Sequence, residues 1–112
     1  AIRRQRQMCI RDRMKHLKDG PETFPLPLSG VRVGPVAFLG IPGEPFTGIG
    51  RGLKDGSPFA MTLPCCLTNG AEGYYPMKEA YDEGGYEARS SNFKAGIAEL
   101  LIDEGVKLLK SL

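Results

Sequence analysis

The run Val36-Ala37-Phe38-Leu39-Gly40-Ile41, stopped by Pro42-Gly43, constrains this chain more than any other feature. A run that short, continuous rather than alternating, fits a strand buried on both faces. Val31-Arg32-Val33 alternates ahead of it, and Gly34-Pro35 turns or kinks the chain between the two. Beyond Pro42-Gly43 a short helix is expected over about residues 47–54, capped by Thr47. It is weakly specified, because Gly48, Gly50 and Gly52 each cost roughly 1 kcal/mol against Ala in a helix interior. Asp55-Gly56-Ser57-Pro58 then punctuates the chain, and residues 59–67 read as a second strand in which Pro64 marks an irregularity or an edge. Strand, helix and strand make a βαβ unit. If its strands are parallel, the right-handed crossover brings their carboxyl ends to one rim.

Two motifs sit at that rim, some thirty residues apart: Pro42-Gly43-Glu44-Pro45-Phe46-Thr47 after the first strand, and Asn69-Gly70-Ala71-Glu72-Gly73-Tyr74-Tyr75-Pro76 after the second. Each places a metal-capable oxygen on a turn that Gly and Pro hold tight. Ligands in open α/β sheets bind outside the carboxyl ends of the strands, so Glu44 and Tyr74 are expected to face a common cleft. Gly48-Ile49-Gly50-Arg51-Gly52 has neither the spacing of a dinucleotide fingerprint nor the Gly-Lys-Ser/Thr of a phosphate loop. His16 is the single histidine and has no neighbouring ligands in sequence.

Residues 75–92 hold Tyr81, Gly84-Gly85, Tyr86 and Ser90-Ser91 and read as a long structured loop with one helical turn near residues 78–81. Residues 94–110 carry the clearest helical pattern. Ile97, Leu101, Leu108 and Leu112 share a face flanked by Leu100 and Ile102, Asp103 and Lys107 stand at i,i+4, and Lys107 and Lys110 suit the negative end of the dipole. This helix is expected to pack on the βαβ layer. The fold class is therefore α/β, as a partial domain with a short βαβ unit, a long structured loop and a C-terminal amphipathic helix.

The first thirteen residues resemble a translated sequencing-adapter sequence, Arg3-Arg4-Gln5-Arg6-Gln7-Met8-Cys9-Ile10-Arg11-Asp12-Arg13 within them, and are read as a disordered artefact. Residues 14–30, with Gly20, Pro21, Pro25 and Pro27, read as an extended linker or the end of a preceding segment. Without residues 1–13, Lys+Arg falls from 15 to 10 and Asp+Glu from 13 to 12, so the net charge moves from +2 to −2. The remaining basic residues are scattered, and no nucleic-acid partner is expected. Cys65 and Cys66 remain, too few for a disulfide framework, and are expected to be small buried hydrophobes. The apolar run from Val36 to Ile41 is far below the roughly 20 residues that cross a bilayer, so no transmembrane segment is expected.

The order PGEPFT, a strand, NGxxGYxP, then GGYE with paired Ser and a C-terminal amphipathic helix resembles the closing part of the catalytic domain of the neutral/alkaline ceramidase family, over residues 31–112. That resemblance implies a zinc-dependent hydrolase acting on the amide of N-acyl sphingoid bases. It implies a zinc ion held by two His from earlier in the domain, by Glu44 and by Tyr74, with Tyr75 as the competing choice. The Ser nucleophile would also lie upstream. Pro42, Gly43, Asn69, Gly73, Tyr86 and Glu87 take pocket or structural roles by the same resemblance. The linker between Glu44 and Tyr74 is shorter than in the ceramidases proper, and Ala71 stands where the family pattern leads one to expect an aromatic. Both departures place the chain among the ceramidase-like relatives, so the expected substrate is an N-acyl sphingoid base or a related lipid amide or ester. The family has secreted, periplasmic and membrane-associated members, so the compartment stays open.

Two oxygen ligands do not complete a tetrahedral site, so the isolated chain is expected to be an inactive fragment that does not retain zinc. The alternative is a small non-catalytic interaction module whose Tyr74, Tyr75, Tyr81 and Tyr86 form a recognition surface.

Overall fold

The computed structural model describes residue 20 and residues 22–112. The adapter-like segment, Cys9 and His16 lie outside the described residues. Residues 23–28 form neither helix nor strand, and Leu26 and Leu28 from this stretch lean on the core.

Strand β1 (Ser29–Val33) turns through Gly34, at φ 58, into β2 (Val36–Gly40), and the two pair antiparallel. The corner after β2 leads to the two-residue strand β3 (Glu44–Pro45) and then to helix α1 (Thr47–Gly56). The chain returns as β4 (Met61–Cys65), parallel to β2, giving the order β1-β2-β4. The expected βαβ unit is present, and β4 is a sheet edge, the position where a proline such as Pro64 removes no ladder donor. Strand β5 (Tyr74–Tyr75) follows, then α2 (Lys78–Glu83), α3 (Tyr86–Ser90) and α4 (Ile97–Ser111). The loop expected over residues 75–92 is thus ordered and carries two short helices. The architecture is α/β, with a small mixed sheet and a C-terminal helix.

Helices α1 and α4 cover one face of the sheet. Ala37 and Leu39 of β2 meet Ile49 and Leu53 of α1 and Ile97, Ala98, Leu101 and Leu109 of α4 in one buried cluster. The glycines of α1 have a packing reason: a Cβ on Gly52 would lie 2.8 Å from Ile102 Cδ1, and one on Gly56 would lie 2.5 Å from Val106 Cγ2. Close approach to α4 offsets their poor helix propensity.

Several local expectations are corrected. Strand β2 is buried on one face only: Ala37 and Leu39 point to the helices while Phe38 is 38% exposed, because among the described residues both long helices lie on the same side. Thr47 is the first helical residue, and Phe46 occupies the cap position with no side-chain cap bond. The buried stripe of α4 is Ile97, Ala98, Leu101, Gly105 and Leu109, since Gly105 lets Leu53 and Leu39 press against the helix. Leu108 and Leu112 are only partly buried, under Gly30, and Leu100 is exposed. Lys107 pairs with Glu104 at 2.7 Å rather than with Asp103, an exposed contact of little energetic weight. Cys65 is half-buried and Cys66 exposed, because the strand ends there in a turn. Among the described residues no helix is long and apolar enough to cross a membrane.

Candidate functional site

The site is built on the corner that ends β2. Loop 66–73 wraps this corner with backbone bonds: the N–H of Leu67 donates to the Gly43 carbonyl (2.9 Å), that of Thr68 to Ile41 (3.0 Å) and that of Glu72 to Pro42 (2.9 Å). To reach these acceptors the loop puts Leu67 and Asn69 in the left-handed region, at φ 52 and 58. The Asn69 amide donates to Ser29 Oγ at 3.0 Å, tying the loop to β1. Gly43 has no alternative. A Cβ there would lie 2.5 Å from the Tyr75 ring and 2.6 Å from the Gly73 carbonyl.

From this corner β3 and β5 run parallel, with Glu44 opposite Tyr74 and Pro45 opposite Tyr75. The Glu44 N–H donates to Gly73 O at 2.8 Å and the Phe46 N–H to Tyr75 O at 3.2 Å. Gly73, at φ 88, makes the turn into β5 in a conformation that favours glycine. Pro42, Gly43, Asn69 and Gly73 therefore build the corner and do not line the cleft.

Successive residues of a strand point to opposite sides, so only one of Tyr74 and Tyr75 faces the cleft. Tyr75 is fully buried; its hydroxyl donates to the Pro42 carbonyl at 2.9 Å and its ring tilts against Phe93 at 5.2 Å. Burial, with the charge of Glu72 adding, pushes the Tyr75 hydroxyl up to about 12. Tyr74 turns the other way, edge-on to Tyr86 at 6.1 Å. Its hydroxyl is held above the ordinary tyrosine range, chiefly by the Glu44 carboxylate, then by burial and by Tyr86 and Glu87.

Glu44, Tyr74 and Glu87 open onto one cleft of about 380 Å³, whose other lining residues include Phe46, Thr47 and Met77. Glu87 comes from α3, and Tyr86 beside it is 71% exposed. Glu44 is exposed, while Tyr74 and Glu87 are half-buried. Met77 carries no signal in the sequence, whereas Ser91 belongs to the pair Ser90-Ser91 that the sequence already marks beside Tyr86 and Glu87. Ser91 is buried and its hydroxyl donates to the Tyr74 carbonyl at 2.9 Å, while the Tyr81 hydroxyl donates to Phe93 O at 2.9 Å. Since Tyr75 and Tyr81 anchor the interior, the four tyrosines do not form one exposed recognition surface.

The cleft offers hard oxygen donors against partly apolar walls, a donor set suited to part of a cation site. Among the described residues, no group of three or more His, Cys, Asp or Glu is placed to hold a metal ion.

No family model matches the chain, and no curated protein does. Among solved structures, that of neutral ceramidase from Pseudomonas aeruginosa is similar, with a TM-score of 0.60 and 23% identity over 83% of this chain. The match spans 17% of that protein's chain. At this identity the likeness is one of fold: the chain has the fold of a small part of neutral ceramidase.

Proposed function

We propose that this chain is the late part of a zinc-dependent, ceramidase-like hydrolase domain, in which Glu44 and Tyr74 are two of the metal ligands. The observation that carries the proposal is the direct pairing of Glu44 with Tyr74 on β3 and β5 at the mouth of a cleft. The fold shared with part of neutral ceramidase agrees with it. The donors fit: Glu44 is an exposed carboxylate, and the same charge that raises the Tyr74 hydroxyl would be offset by a bound cation. The bond that commits Tyr75 to Pro42 supports Tyr74 over Tyr75 as the ligand.

Zinc, when bound, would act as a Lewis acid toward an amide or ester carbonyl. Glu44 and Tyr74 would supply two of its oxygen ligands. Phe46 and Met77 would give the cleft a wall suited to a lipid substrate, such as an N-acyl sphingoid base or a related amide or ester. Two oxygens leave a tetrahedral set incomplete, so two His and the Ser nucleophile would come from an upstream part of the same polypeptide. The 112-residue chain alone would then neither hydrolyse substrate nor retain zinc.

Zinc analysis of the polypeptide encoded by the uninterrupted genomic reading frame tests the assignment. Glu44→Gln and Tyr74→Phe are each expected to cut retained zinc about tenfold or more. Full occupancy in both variants would sink the ligand assignment, and turnover of a ceramide analogue by the 112-residue chain would overturn the fragment reading.

A further inference from the structure

The sheet has a second apolar surface that is open among the described residues. Because Ala37 and Leu39 point to the helices, Val36 and Phe38 point to the opposite side. The strand register then sets neighbours on that outer side in two rows, Val31, Phe38 and Leu63 in one and Val33, Val36 and Met61 in the other. Val33 is 62% exposed, Val31 57%, Met61 55%, Phe38 38% and Leu63 37%. Single exposed apolar residues are ordinary, but six in register form a continuous patch of the sort that marks an interface. A sheet with one face in water alternates polar residues outward. Here the outward residues of β2 and β4, Val36 and Phe38 with Met61 and Leu63, are apolar instead.

The occupant follows from proportion. The fold that takes up 83% of this chain is 17% of the neutral ceramidase chain, so there it is one part of a much longer polypeptide. We infer that the outer face of β1, β2 and β4 is an internal packing surface, seated against an apolar layer supplied by the rest of the same, longer polypeptide. The inference rests on the proposal that the chain is part of a larger hydrolase, but not on zinc. Contact is through the face and not by strand addition at β4, where Pro64 has no N–H to pair.

The test compares the 112-residue chain with the polypeptide of the uninterrupted reading frame. In the short chain, the double substitution Val33→Lys, Phe38→Lys is expected to lower binding of a hydrophobic-surface dye several-fold and to leave the melting temperature within about 2 °C. In the longer polypeptide the same pair is expected to lower the melting temperature by roughly 5 °C or more, since it buries two charges. Glu79→Lys on exposed α2 serves as the control, with no change in either. If the double variant does not fold in the longer polypeptide, Val33→Cys gives the answer: a maleimide should label Cys at position 33 readily in the short chain and at least tenfold more slowly in the longer one, by peptide mapping. Equal labelling in both, or a longer polypeptide indifferent to the two lysines, would overturn the inference. So would a reading frame that extends no further, or a dimer of the short chain that the lysines dissolve with no effect on the longer protein. Zinc content separates the two proposals. A longer polypeptide without zinc that still protects Cys at position 33 removes the metal site and keeps the packing surface.

Discussion

Replacing Tyr75 by Phe removes a hydroxyl that donates to the Pro42 carbonyl at 2.9 Å inside the core. The carbonyl keeps its bond from the Glu72 N–H, so the expected cost is that of one hydrogen bond, about 1 kcal/mol, read from urea unfolding of the 112-residue chain. The same group fixes a pH dependence. Its folded value of about 12 lies above the roughly 10 of an unfolded tyrosine, so its contribution to stability is full below about pH 10 and is lost as pH rises through 12. Thermal melts across that window should fall less steeply for Tyr75→Phe than for the parent sequence. At this scale the sequence marked Glu44 and the Tyr74-Tyr75 pair, because Gly and Pro punctuation locates a turn without tertiary information. It left open which tyrosine enters the core. That depends on the side of β5 facing the Pro42 corner, a contact spanning thirty-three positions.

At the scale of elements, the face of α4 is the clearest point to check. Leu109→Ala removes a fully buried side chain and is expected to cost about 2–5 kcal/mol, whereas Leu100→Ala on the exposed side should stay within about 0.5 kcal/mol. Equal effects in denaturant unfolding would contradict the packing described. The helix itself was legible in its apolar periodicity, and its inward face in part, through Ile97 and Leu101; Leu109 was not, since Gly105 is invisible to a hydrophobic pattern and decides where α1 presses. The βαβ unit was legible because short apolar runs bounded by Gly and Pro have few other solutions. Helix α3 was not, as five residues are too few to show a period. The one-sided burial of β2 also escaped notice, because a continuous apolar run looks the same whether its second face is covered or open.

For the whole molecule, zinc should act on the 112-residue chain only weakly. A ligand at a concentration equal to its Kd stabilises by about 0.4 kcal/mol, so millimolar zinc is expected to move the melting temperature by no more than a few degrees. A shift of ten degrees at micromolar zinc would mean that this chain holds a complete site. The corner at Pro42 and Gly43 carries a further consequence. It receives the amides of Leu67 and Glu72 and the hydroxyl of Tyr75, and both candidate oxygens hang from it, one on β3 and one on β5. A lesion there has no graded outcome: Gly43→Ala, which drives a methyl into the Tyr75 ring and the Gly73 carbonyl, should behave in a mutant screen as the loss of both ligands at once.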